Sequence, residues 1–152
     1  HVIGVGKSGH IARKIAGTMT STGSPASFLH PTEAMHGDIG GVRPNDAAVL
    51  ISRSGECDEV VACARAIRRL FPGFPAVILT GSPDSRLAEL GDVVLDCSVA
   101  READPNGLAP TASTAAALAM GDALAMALMN EKGFIDADFV RTHPGGEIGR
   151  GA

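Results

Sequence analysis

The sequence has 152 residues, 45% of them hydrophobic and 20% charged, with a net charge of −4 and a pI near 5.7. That is the composition of one globular domain, not of a disordered chain. With no Trp, no Tyr and only five Phe, it lacks the stacking platforms that grip single-stranded nucleic acid, and its acidity gives no general field for DNA, RNA or anionic lipid.

Short apolar runs alternate with longer helical stretches, the pattern of βαβ units and a parallel sheet. Val2 to Val5 predicts a strand stub, then a glycine-rich turn and a helix from about Gly9 to Thr22. Because His1-Val2-Ile3-Gly4 reads as mid-strand, an N-terminal portion is expected to precede it. Ala26 to Leu29 predicts a second strand, running into a loop from His30 to Asp38. Ala47 to Ser52 is a near-continuous apolar run, as in a strand covered on both faces. Glu56 to Leu70 predicts an amphipathic helix, Ala76 to Thr80 another buried strand, and Val93 to Leu95 a shorter one. Ser113 to Glu131 is rich in Ala, Leu and Met but too polar at its ends for a membrane span, so it suits a helix inside the fold or at a subunit interface. The expected architecture is α/β: a three-layer sandwich with a five-stranded parallel sheet between helices. Cys57, Cys63 and Cys97 are odd in number and lack metal-type spacing, which predicts free buried thiols in a reducing compartment.

Ligands of such sheets bind beyond the carboxyl ends of the strands, so the turns there carry the functional question. Gly4-Val5-Gly6-Lys7-Ser8-Gly9 matches the G-x-G-x-x-G pattern, but the acidic residue that would bind a ribose is missing where the second strand ends in Leu29-His30-Pro31. A turn for a phosphate or sugar phosphate fits better. Ser52-Arg53-Ser54-Gly55-Glu56 is a second such turn; its hydroxyls and free amides can cradle phosphate, or Ser54 can simply cap the helix. Lys7 and Arg53 would supply local positive charge. His30, Glu33, His36 and Asp38 have ligand-type side chains at close spacing, yet the Pro and Gly between them predict a flexible loop with polar or sugar contacts rather than a metal centre. Glu102 falls just past a strand end, facing the same cleft, and Thr111, Ser113 and Thr114 can cap the long helix. His143 sits on a Gly/Pro-rich tail.

Together, Gly4-Val5-Gly6-Lys7-Ser8-Gly9-His10, His30-Pro31, Glu33-Ala34, His36-Gly37-Asp38, Ser52-x-Ser54-Gly55-Glu56-x-x-Glu59, Gly107-Leu108-Ala109-Pro110-Thr111, Met120-Gly121-Asp122-Ala123-Leu124-Ala125 and His143-Pro144-Gly145-Gly146 resemble the sugar isomerase (SIS) domain of the D-arabinose 5-phosphate isomerase family. The similarity runs almost the whole length. It implies interconversion of D-ribulose 5-phosphate and D-arabinose 5-phosphate, feeding Kdo synthesis for lipopolysaccharide or capsule in the cytoplasm. It implies Lys7, Glu59, Glu102 and His143 as catalytic residues. It further implies phosphate or substrate contacts from Gly6, Ser8, Ser52, Arg53, Ser54, Thr111, Ser113 and Thr114, with His36 near the sugar. Residues 1–152 would form a single SIS domain without the N-terminal helical segment and C-terminal CBS pair that members carry. A homo-oligomer, a tetramer by the resemblance, is expected, with His143 completing a neighbour's site. The sequence departs from the family pattern at Arg53, commonly Asn, and at Cys57, commonly Ser or Thr.

The inventory suits isomerisation through a cis-enediol, which needs a base, an acid and an electrophile but no cofactor and no required metal; His36 could hold an adventitious or inhibitory ion. The small-molecule partner is a sugar phosphate, with neither nucleic acid nor membrane expected. Two alternatives remain: a sensor domain that binds sugar phosphate without chemistry, and an SIS isomerase for another sugar phosphate.

Overall fold

The structure, a computed structural model, describes residues 1–145. Strands β1 (Val2–Ile3), β2 (Phe28–Leu29), β3 (Ala48–Ser52), β4 (Ala76–Thr80) and β5 (Val93–Asp96) form one parallel sheet in the order β2-β1-β3-β4-β5. Parallel neighbours need crossovers, and five helices serve this sandwich: α1 (Gly6–Ser21), α2 (Pro31–Met35), α3 (Asp58–Leu70), α4 (Ala112–Glu131) and α5 (Asp136–Thr142). The expected three-layer α/β architecture is therefore the observed one.

Side chains alternate across the strands, so each strand feeds two cores. Ile3, Leu50 and Ile78 face one layer and pack with Val60, Ala64 and Ile67 of α3. Val2, Ile51 and Leu79 face the other, against Ala12, Ile15 and Met19 of α1 and Ala117 and Ala125 of α4. Each large aliphatic buried this way contributes about 1.5–3 kcal/mol. The register Leu50↔Ile78 and Ile51↔Leu79 keeps both sets in line.

The glycines around β1 have steric reasons. A Cβ on Gly4 would lie 2.9 Å from the Ser8 carbonyl oxygen, and one on Gly9 would lie 2.9 Å from the Gly4 carbonyl oxygen. Strand end and helix start thus pack backbone to backbone, with Gly6 turning the chain at φ +58°. That tight turn lets α1 begin three residues earlier than its apolar pattern indicated.

Several local expectations are corrected. The stretch read as a loop after β2 contains α2, because Pro31 sits where a helix's first turn needs no N–H; a 3₁₀ turn, Asp38–Gly41, follows. Helix α3 starts at Asp58 with Cys57 as its N-cap, so Ser54 is not the cap. Its Oγ instead accepts from the Glu56 amide at 3.2 Å. The segment read as a tail forms α5, whose C-cap is His143; Gly146 of the His-Pro-Gly-Gly motif lies outside the described residues. Cys63 and Cys97 are free and buried as expected, whereas Cys57 is partly exposed.

Only four of the 20 residues of α4 are buried, the stripe Ser113, Ala117, Gly121 and Ala125. Its length and mean hydropathy of 1.4 would by themselves allow a membrane crossing. Here, however, the stripe packs on α1, and Lys14 of α1 donates to Asp122 at 2.6 Å. Gly121 fixes that packing, since a Cβ there would collide with Cδ1 of fully buried Ile15. Gly121→Val should therefore lower unfolding free energy by about 1–3 kcal/mol through overpacking, read as an earlier midpoint in urea denaturation.

Candidate functional site

Right-handed crossovers send α1 and α3 to opposite faces, so the winding reverses between β1 and β3, and a crevice opens beyond their carboxyl ends. A pocket of about 200 Å³ lies there. Its polar lining comes from Lys7 and Ser8 after β1, Arg53 after β3, Thr80 and Gly81 after β4, and Ser113 and Thr114 at the start of α4. A second compartment of about 280 Å³ adjoins it, with Ser54, Ser82 and Val99, and both share Arg53, Gly81, Cys97 and Ser113.

The β1 turn offers the first amides of α1, which have no partners within the helix and give its N-terminus affinity for anions. No side chain caps that end. The turn after β3 is braced from several sides. Ser52 Oγ and the Ser52 carbonyl both accept from the Gly55 amide, at 3.1 and 3.2 Å. The Gly81 amide donates to the Arg53 carbonyl at 2.9 Å. Gly55 adopts φ +67°, and a Cβ on it would strike Ser85 Oγ. Arg86 clamps the outside, bonding both the carboxylate and the carbonyl of Glu56, and Asp58. Ser52 is 5% exposed and lines neither compartment; its hydroxyl shapes the turn.

Glu102, on the β5–α4 loop, lines neither compartment itself but lies directly behind Arg53, which lines both. Its Oε2 accepts from the Thr111 amide at 2.8 Å, the Ser113 amide at 3.1 Å and Thr111 Oγ1 at 3.2 Å. The residue is 2% exposed, yet burial is outweighed. The neighbouring Ser113 hydroxyl, then the Thr111 amide and the remaining donors, hold its pKa down to about 2. Glu102 thus caps α4 from ten residues upstream of Ala112 and presents fixed negative charge beside the cleft. Thr111 is spent on this carboxylate, whereas Ser113 and Thr114 do reach the cleft lining.

The remaining predicted residues are not gathered here. Glu59 is exposed on the first turn of α3, where the Cys57 thiol donates to its Oε2 at 2.9 Å and, with its own amide, lowers its pKa. It lines neither compartment. His36 is the exposed C-cap of α2, and among the described residues no three His, Cys, Asp or Glu side chains converge on a common point. His143 stacks on Phe139 with ring centroids 4.0 Å apart. Neighbouring Thr142 donates to the carbonyl of Ser21, at the far end of α1. At 1.5 Å per residue, α1 puts about 22 Å between that point and the Lys7 turn. Within one chain His143 is therefore at the opposite end of the sheet. Thr80-Gly81-Ser82 is one of the strand-end turns that the sequence marks as carrying the functional question, with no role assigned to its residues; Ser85 and Arg86 carry no such signal.

A parallel sheet with two anion-type turns at its switch point, closed by a hydroxyl-rich helix start, defines a doubly wound α/β domain with a cleft suited to an anion. The family model "SIS domain" matches residues 1–127, and the chain belongs to that family. It is 52% identical over 149 residues to "Arabinose 5-phosphate isomerase KdsD" of Escherichia coli K12, covering 98% of this chain and 45% of that protein. To "Arabinose 5-phosphate isomerase KpsF" of E. coli CFT073 it is 47% identical over 152 residues, covering 99% and 46%. The chain thus spans about half the length of these curated relatives. A solved E. coli CFT073 structure in complex with arabinose 5-phosphate superposes with a TM-score of 0.88 at 46% identity, covering 94% of this chain and 75% of that one.

The depressed Glu102 pKa has a definite sign for stability. An unfolded glutamate titrates near 4.3, so the folded state favours the ionised form. Its contribution is fully present above that value and is lost as pH falls toward about 2. Glu102→Gln should accordingly be less stable at neutral pH and lose less stability between about pH 5 and 2, as measured by urea unfolding across that range.

Proposed function

We propose that this chain is the catalytic domain of an aldose–ketose isomerase that interconverts D-ribulose 5-phosphate and D-arabinose 5-phosphate through a cis-enediol. One observation carries the reading: Lys7, Arg53 and two strand-end turns converge on one cleft beside an ionised, buried carboxylate. Identity near one half to proteins named arabinose 5-phosphate isomerase supports it.

In this mechanism the phosphate lies against the amides of Gly6, Lys7 and Ser8, with Ser54, Ser113 and Thr114 as hydroxyl donors. A carboxylate moves the proton between C1 and C2. Glu102 lies behind Arg53, and a pKa of about 2 makes it a weak proton acceptor at neutral pH; Glu59, held below its ordinary pKa by the Cys57 thiol and outside the cleft lining, is the other candidate base. Lys7 stabilises charge on the enediolate oxygens. His143, at the other end of its own chain, assists ring opening in a neighbouring copy. Helix α4 supports such an assembly: Ala115, Ala119, Ala123, Met126 and Ala127 are exposed, an apolar face suited to a homo-oligomer, by resemblance a tetramer. The product would serve Kdo synthesis in the cytoplasm. A sensor domain is the second reading, favoured by Glu59, His36 and His143 lying outside the cleft lining.

Incubating the full protein with ribulose 5-phosphate and no cofactor should produce arabinose 5-phosphate, followed by NMR. Tight binding without product would establish the sensor instead. If His143 acts in trans, mixing inactive Lys7→Ala and His143→Ala proteins should restore a measurable fraction of turnover. No recovery after subunit exchange would place His143 outside the shared site.

A further inference from the structure

The two cleft compartments meet at Arg53. Its side chain is 53% exposed, and Nε lies 3.0 Å from Oε1 of Glu102, whose side chain is fully buried. The contact is close but misaligned, because Oε1 receives no hydrogen bond while Oε2 receives three. Ser113 Oγ, on the wall common to both compartments, is also buried and makes no aligned hydrogen bond, although it neighbours the Glu102 carboxylate. Two buried polar atoms whose nearest contacts are all misaligned are uncommon in folded proteins and leave room for a ligand that would satisfy them better.

The charges sharpen this. Glu102 does not depend on Arg53, since the start of α4 already satisfies its other oxygen. Among the described residues Arg53 makes no other ion pair, and its side chain makes no hydrogen bond. A guanidinium binds a phosphate best through two parallel N–H donors, which a single off-axis Nε contact to a carboxylate does not match. An uncompensated carboxylate beside the cleft would also repel a phosphate dianion.

We propose that Arg53 is an exchangeable bar across the cleft, its guanidinium alternating between the Glu102 carboxylate and the phosphate of an incoming sugar phosphate. Transfer to the phosphate opens the passage between the compartments. It also leaves Glu102 Oε1 and Ser113 Oγ facing the sugar hydroxyls as acceptor and donor. Arg53 is then a specificity residue for phosphate monoesters, with Glu102 as the competitor that sets its availability. The proposal rests on reading the cleft as a sugar-phosphate site.

Titration calorimetry with inorganic phosphate on the full protein tests the exchange, because phosphate carries no sugar to isomerise. Removing the competitor in Glu102→Gln should tighten phosphate binding at least about threefold, while Arg53→Asn should weaken it about tenfold, the size of one charge-assisted hydrogen bond. The double variant should bind no better than Arg53→Asn. Equal or weaker binding by a folded Glu102→Gln protein overturns the proposal, as does wild-type protein that fails to bind millimolar phosphate. Should Glu102→Gln not fold, the wild-type Arg53 Nε–H resonance decides. It must shift saturably as phosphate is added, and a resonance that stays fixed while phosphate binds overturns the exchange. Exchange without conversion of ribulose 5-phosphate would refute the isomerase alone; conversion with an unresponsive Arg53 would refute the exchange alone.

Discussion

Because parallel strands joined by right-handed crossovers must place successive helices on one face until the winding reverses, a sheet ordered β2-β1-β3-β4-β5 leaves one gap between turns. The cleft lined by Lys7 and Arg53 occupies that gap. The start of α1 after β1 and the Arg53-Ser54 turn after β3 both border it and so line a shared space. The close backbone packing of Gly4, Ser8 and Gly9 keeps the first helix start against the sheet, and Gly55 against Ser85 holds the second turn. Side chains at those positions would push the two apart.

The chain is acidic overall, yet the cleft is built to favour an anion. Lys7 and Arg53 are the cations at its lining, and the helix N-termini add partial positive charge without adding net charge. Glu102 is the counterweight. Held by donors from Ser113 and Thr111, it stays ionised although burial opposes the charge. Its charge both anchors the α4 start and competes for Arg53, so one carboxylate links the architecture of the cleft to its electrostatics.

Helix α4 carries a second tension. Its small residues let α1 approach closely, with Ile15 seated on Gly121. The same composition leaves the rest of the helix apolar and open, and β5 exposes Val93 and Val94 at the sheet edge. Aliphatic surface therefore stays open both on α4 and at the β5 edge.

The sequence by itself determined the fold class, because near-continuous apolar strands alternate with longer helical stretches, the mark of βαβ units and a parallel sheet. It also located the Lys7 and Ser52–Gly55 turns, whose glycine and hydroxyl spacing is local information. Short elements escaped it: α2 and α5 are too brief for a 3.6-residue period to register, and their start signals lie in Pro31 and in the carboxylates around Asp136. Tertiary structure alone decided which candidates share a site. Glu102 and Arg53 are far apart in sequence yet in contact, since the strand ends of β3 and β5 open onto the same crevice. Glu59 points into a local contact with Cys57 instead, and His143 follows α5 to the opposite end of the sheet. A motif records chemistry along the chain, but the crossovers set where each residue ends up.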